Sequence, residues 1–226
     1  RSGFQPIDAP ENLNPMWRVQ CSAPLTAPVS ANNMVYVAEK DRHRLRAFDA
    51  GDGEERWSFA ADGRIDSPPT IFRGLCLFGT RNGFVYCLEA DDGELVWRFR
   101  AAPGRRRIFS RKQLESVWPV HGSVLVDDSA ASQDGTVYFA AGRTSHLDGG
   151  IQLYALDVLT GEPRHQATVT MTSDSNQDGT IAARALPGIL SLHDGSIFMR
   201  HLRLDRTLAP QKPNVRHLYA PGGFLD

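Results

Sequence analysis

Three features of this sequence predict an all-β chain, a partial β-propeller built of four-stranded antiparallel blades of about 40 residues each. Trp17, Trp57 and Trp97 recur at an unbroken spacing of 40 residues. Around them, four short runs of β-branched, aromatic and alternating residues repeat, separated by Asn, Asp and Gly turn signals. No run of helical period exceeds about three turns. A repeat of this length means units that bury their apolar faces only against their neighbours.

The first blade, residues 18–57, reads as strands around Ala27-Pro28-Val29, Val35-Tyr36-Val37, Leu45-Arg46-Ala47-Phe48-Asp49 and Glu55-Arg56-Trp57-Ser58-Phe59. The second, 58–97, matches it at a constant offset of 40: Ser67-Pro68-Pro69, Leu75-Cys76-Leu77, Val85-Tyr86-Cys87-Leu88-Glu89 and Leu95-Val96-Trp97-Arg98-Phe99. On that alignment a turn at Arg81-Asn82 sets Cys76 opposite Cys87, the counterparts of Tyr36 and Ala47. Two readings stay open there, a bridge and a pair of buried thiols. The third blade, 98–165, is stretched by insertions; Val137-Tyr138-Phe139 and Leu153-Tyr154-Ala155-Leu156-Asp157 are its second and third strands. The fourth, 166–226, is incomplete: it starts at Leu186-Pro187-Gly188-Ile189-Leu190 and loses the pattern in the Pro-rich stretch 209–213.

Within the repeat lies a sharper pattern: Ala47-x-Asp49-x-x-x-Gly53-x-x-x-Trp57, then Cys87-x-Glu89-x-x-x-Gly93-x-x-x-Trp97, then Ala155-x-Asp157-x-x-x-Gly161 with His165 in the tryptophan place. The glycine permits a left-handed turn, the aspartate accepts backbone N–H bonds there, and the small residue leaves room for a flat indole. Trp57 and Trp97 are therefore expected to be glue between blades, each burying roughly 150–250 Å². The pattern resembles the tryptophan-docking motif of the pyrroloquinoline-quinone-like (quinoprotein-type) β-propellers, over roughly residues 17–200.

That resemblance implies about seven or eight blades in the whole, so this chain is expected to be a piece of a larger propeller, with the remaining blades as its first partners. It also implies an extracytoplasmic place, periplasmic or in the cell envelope. Its leading functional implication is a non-catalytic scaffold or interaction module, like the propellers that assist outer-membrane protein assembly. The alternative is part of a dehydrogenase that oxidises alcohols or sugars through pyrroloquinoline quinone and calcium. Such enzymes carry a vicinal cysteine pair, and Cys21, Cys76 and Cys87 include no adjacent two. A carbohydrate-active propeller is a third reading, without specific support in the residues.

Composition narrows the classes further. With 25 Lys and Arg against 26 Asp and Glu, net charge −1, the chain lacks the basic excess of a nucleic-acid binder. No apolar run approaches the roughly 20 residues of a membrane-spanning helix. Three cysteines without C-x-x-C make neither a disulfide framework nor a zinc knuckle. The chain opens at Arg1 with no secretory h-region, which is expected either of a removed leader or, the favoured reading, of a piece of something longer.

Function in repeat proteins concentrates in insertions on one face. Residues 101–120 lengthen a crossover between blades, 140–150 a turn between second and third strands, and 171–186 the next crossover. All three fall at one end of the blades, the expected contact face for a protein partner; Asp127 to Asp134 extends a turn at the other end. The first insertion holds Arg105-Arg106-Arg107 and Arg111-Lys112, read either as an anion or acidic-glycan site or as a solvated charge run. Trp118 either lines the axial channel or covers the core. The third insertion holds Asp174, Asn176 and Asp178 before Gly179, the first half of a calcium loop, but Ala185 stands where a bidentate Glu belongs. The seven histidines form no His-x-x-x-His, although His121, His146 and His201 are candidates to approach one another.

Overall fold

The computed structural model describes residues 14–129, 135–170, 186–200 and 202–211. They form four four-stranded antiparallel sheets, each a simple up-and-down meander. The first comprises β1 (Val29–Ala31), β2 (Met34–Glu39), β3 (Arg44–Asp49) and β4 (Glu55–Ala60), with one 3-10 turn, Lys40–Arg42, between β2 and β3. The second comprises β5 (Thr70–Phe72), β6 (Leu75–Gly79), β7 (Phe84–Glu89) and β8 (Leu95–Arg100). A separate hairpin, β9 (Arg107–Ser110) and β10 (Gln113–Ser116), fills the first insertion. The third sheet is β11 (Leu125–Asp127), β12 (Thr136–Ala141), β13 (Ile151–Asp157) and β14 (Pro163–Val169). The fourth is β15 (Leu190–His193), β16 (Ser196–Met199), β17 (Leu202–Leu204) and β18 (Pro210–Gln211). Sheets of this kind, stacked face to face through short first strands that touch one another, are the blades of a β-propeller.

Burial explains the layering. The second strands are buried along nearly their whole length, and β7 and β13 almost as fully, because the two middle sheets are covered by a sheet on both faces. The outer strands β4 and β8 alternate, with one buried tryptophan among exposed residues. Three cores result. Tyr36, Ala38, Leu45 and Ala47 meet Cys76, Phe78, Tyr86 and Leu88 between the first and second sheets. Leu77, Val85 and Cys87 meet Val137, Phe139, Tyr154 and Leu156 between the second and third. Tyr138, Ile151, Leu153 and Ala155 meet Leu190, Ile197, Leu204 and Leu208 between the third and fourth.

The constant offset of 40 fails in the first two strands of the blade, where Ala31 corresponds to Phe72 and Met34 to Leu75. Met34 pairs with Asp49 and Tyr36 with Ala47, whereas Leu75 pairs with Glu89 and Leu77 with Cys87. From Asp49 to Glu89 the step is 40, but from Met34 to Leu75 it is 41. The cause is the turn: Thr80 bonds Phe84 across three residues, where Glu39 faces Arg44 across four. Leu77, not Cys76, is therefore the counterpart of Tyr36. A one-residue slip sends a side chain to the other face of its sheet. Cys76 points into the first core and Cys87 into the second, so they cannot bridge; both are free, and burial pushes both thiol pKa values up.

Candidate functional site

The motif residues come together at the seams between sheets. Ala47 lies directly across from Trp57, and Cys87 from Trp97. Each indole then reaches the following sheet: Trp57 Nε1 donates to the Ala90 carbonyl at 2.8 Å and Trp97 Nε1 to that of Val158 at 3.0 Å. Trp17 does the same with Ala50, at 2.9 Å. Gly53, Gly93 and Gly161 have φ of 75°, 78° and 72°, and a Cβ on any of them would lie within 2.7 Å of Trp17, Trp57 and Trp97 respectively. Asp49 accepts from the Gly51 amide and Asp157 from those of Leu159 and Thr160; Glu89 makes no such bond among the described residues, while Asp52 and Asp92 alike accept from the amide two residues on, Glu54 and Glu94. His165, across from Ala155, is exposed.

The end of the molecule that carries the insertions is assembled differently, by charge. Asp66 sits between two guanidiniums, with Arg64 Nε at 2.5 Å from its Oδ1 and Arg81 Nε on its Oδ2. Arg64 also pairs with Asp41. Arg81 continues to Glu115 Oε2 at 3.3 Å, and Arg143 reaches the same oxygen at 3.0 Å. Glu115 is 1% exposed, so an unpaired carboxylate there would be costly. Burial raises the Asp66 carboxyl, but Arg64 and Arg81 outweigh it and hold that carboxyl below its usual range. His121 lies in their field: burial first, then Arg81 and Arg143, lowers its pKa to about 4 and keeps the ring neutral. Loops of the first, second and third sheets are thus locked to the β9–β10 hairpin by one buried ionic chain.

Two further ties hold the hairpin down. His43 Nε2 meets Gln113 Oε1 at 2.8 Å, and the Ser116 amide donates to the Arg81 carbonyl at 3.0 Å. Trp118 covers the second core rather than standing free: its ring packs there and its Nε1 donates to the Asp148 carbonyl at 2.8 Å. The arginine cluster divides. Arg106 pairs with Asp148 and stacks over Trp118, while Arg105, Arg107, Arg111 and Lys112 are exposed and make no ion pair among the described residues. The outer face of the hairpin shows Phe109, 74% exposed, beside Leu114, 61% exposed.

Asp174, Asn176, Asp178 and His201 lie outside the described residues. His146 is exposed and engaged by Thr144 and Ser145. Among the described residues no three His, Cys, Asp or Glu side chains group as metal ligands, and no helix is long and apolar enough to cross a membrane. The residues at hand therefore do not compose a quinone and calcium site: there is no vicinal cysteine pair, and the acids that converge are already neutralised by arginine. Nothing in the sequence flagged Asp66, Arg81, Glu115 and Arg143 as a unit, because no spacing relates four residues from separate loops.

Seams, sheets and insertions together define a propeller of the pyrroloquinoline-quinone-like repeat class. The chain belongs to the family described as outer membrane protein assembly factor BamB, whose pattern matches residues 14–203. It is 27% identical over 161 residues to the BamB of Vibrio cholerae, covering 69% of this chain and 37% of that protein. It is 29% identical over 159 residues to quinohemoprotein alcohol dehydrogenase ADH IIB of Pseudomonas putida, covering 57% of this chain and 23% of that one. Quinohemoprotein alcohol dehydrogenase from Comamonas testosteroni superposes with a TM-score of 0.57 at 18% identity, covering 80% of this chain and 33% of that one, a likeness of fold. The chain thus spans well under half the length of the relatives it matches.

Proposed function

We propose that this chain is part of a non-catalytic propeller scaffold of the cell envelope, and that its insertion-bearing end is the surface that holds a protein partner. One observation carries the reading: a buried ionic chain fixes the hairpin and the adjoining loops into a rigid platform that leaves apolar and cationic groups on the outside. Family membership supports it, since the family and the Vibrio cholerae relative are named as outer membrane protein assembly factor. A photoreactive residue at Leu114 of the full-length protein, in its own cells, is expected to give a discrete protein adduct, whereas one at Leu159 at the other end is not. Replacing residues 105–114 by a short Gly-Ser link is expected to abolish partner binding and leave the blades folded. Equal adducts from both positions would remove the reading.

A second reading, part of a quinone-dependent dehydrogenase, draws on the similarity to the Pseudomonas putida enzyme. Adding pyrroloquinoline quinone with calcium to the full-length protein separates the two: a bound-quinone spectrum and alcohol oxidation support the dehydrogenase, and an unaltered free-quinone spectrum supports the scaffold.

A further inference from the structure

The β9–β10 hairpin is shaped to receive a strand. Arg111 and Lys112 form its two-residue turn with φ of 50° and 65°, the left-handed pair that suits a tight hairpin. In such a hairpin the residues flanking the turn, Ser110 and Gln113, are a hydrogen-bonded pair, and bonded pairs alternate along the ladder. Ile108 with Glu115 and Arg106 with Val117 are then bonded too, and the Val117 amide donates to the Arg106 carbonyl at 3.2 Å. Arg107 and Phe109 consequently aim their backbone N–H and C=O away from β10. The mirror position on β10, Ser116, spends its outward amide on Arg81. The outward groups of Arg107 and Phe109 have no partner among the described residues.

Three properties coincide at this edge. Among the described residues the outward backbone is unpaired, which proteins ordinarily avoid on a flat strand. The outer face beside it presents Phe109 and Leu114 as a directly opposed, non-bonded pair, whose side chains approach closely. From Arg105 to Leu114 there are five cations and no acid, in a chain whose net charge is −1. Arg106 is neutralised by Asp148, which leaves Arg105, Arg107, Arg111 and Lys112 without an ion pair among the described residues around the edge.

We propose that β9 is a docking edge for an extended acidic segment of a partner protein, which adds to the hairpin as a third strand. Main-chain bonds to Arg107 and Phe109 supply the pairing, and acidic side chains on the added strand meet Arg105, Arg107, Arg111 and Lys112. A membrane surface fits less well: the tip of the hairpin is Arg111-Lys112, so the apolar pair is held back from lipid, and an open strand edge has no place in hydrocarbon. A second copy of this chain fits less well too, because two such edges would bring like charges together.

The inference rests on the reading that this end binds a partner protein, and the test separates the two. The probe is an acetylated peptide of alternating Glu and Val, followed by fluorescence anisotropy and by amide exchange in the full-length protein. Binding that weakens with salt, with new protection at the amides of Arg107 and Phe109, is the expected result. Arg107→Pro removes only an outward N–H and keeps the ladder, as proline does on strand edges. It is expected to weaken binding about tenfold, against about threefold for Arg107→Gln. Phe109→Ser, which leaves the backbone edge intact, is expected to weaken it as well. Equal binding by Arg107→Pro and Arg107→Gln, or equal binding of a Lys-Val peptide, would overturn strand addition. So would binding to phosphatidylglycerol vesicles in place of the peptide. If crosslinks from Leu114 persist while Arg107→Pro binds normally, the docking surface stands and the strand does not.

Discussion

Trp97 joins two sheets through both of its faces and its nitrogen. It stands over Cys87 of its own sheet, packs against Gly161 of the next, and donates to the Val158 carbonyl. Trp97→Ala is expected to lose about 3–5 kcal/mol in chemical denaturation, since the seam cannot close over the cavity. The exposed His165→Ala is expected to change little, and equal losses for the two would refute the seam assignment. His121 makes a second prediction. Its folded pKa, about 4, lies below its ordinary value, so the neutral ring is favoured by the fold. As pH falls through 6.5 the unfolded chain takes up a proton that the folded one refuses until about 4. Stability is therefore fully present above pH 6.5 and lost between there and 4, by up to about 3 kcal/mol. The groups in whose field the ring sits are Arg81, Arg143, Arg111 and Asp66; the last, with its depressed carboxyl, adds its own loss only at lower pH. His121→Gln should flatten the stability profile across that window, a comparison that urea melts at several pH values settle.

The elements show how much of this was written in the sequence. Strand order, the four-strand meander and the pairing of Ala47 with Trp57 follow from period and turn residues, which act locally. The face that each β6 side chain occupies does not, because it depends on whether the closing turn holds three residues or four. That single residue moved Cys76 away from Cys87. The seam between the third and fourth sheets is a further case. There the outer strand offers His165, not tryptophan, and the facing turn is one residue shorter, with the Leu208 amide bonding the Asp205 carbonyl at 3.0 Å. Leu208 takes the left-handed φ, 67°, that glycine takes in the other turns, and it is buried in the seam beside Ala155. The plug is supplied by the following sheet instead of the preceding one. Leu208→Gly relieves backbone strain yet empties the seam, so a net loss of about 2 kcal/mol is expected. Adding His165→Trp should recover part of it, with a coupling of about 1 kcal/mol in a double-mutant cycle. Strict additivity would mean that the two side chains do not share one space.

At the scale of the whole molecule, the insertion end is held by Arg81, which no motif marked. It bonds Asp66 on one side and the almost fully buried Glu115 on the other, so it ties the second sheet to a hairpin that has no core of its own. A two-stranded hairpin is marginal alone in water, which makes this ionic chain the condition for an ordered β9. Such a chain could not be read from the sequence: charge runs announce themselves by adjacency, whereas Asp41, Arg64, Arg81, Glu115 and Arg143 converge only through folding. Removing Arg81 leaves the buried Glu115 with Arg143 as its remaining cation and Asp66 with Arg64. Arg81→Ala is expected to lose about 2–3 kcal/mol, less than the roughly 3–5 kcal/mol of a buried charge left with no partner. The order of loss matters more than its size. Amide exchange should rise first in β9 and β10 and only later in β6 and β7, because the sheets keep their apolar cores when the ionic chain is cut. Glu115→Ala added to Arg81→Ala removes a buried carboxylate left with Arg143 alone and should return part of the stability without returning protection to the hairpin. Simultaneous opening of hairpin and blades would show instead that Arg81 supports the propeller itself, and that the partner-facing end is not a separately held platform.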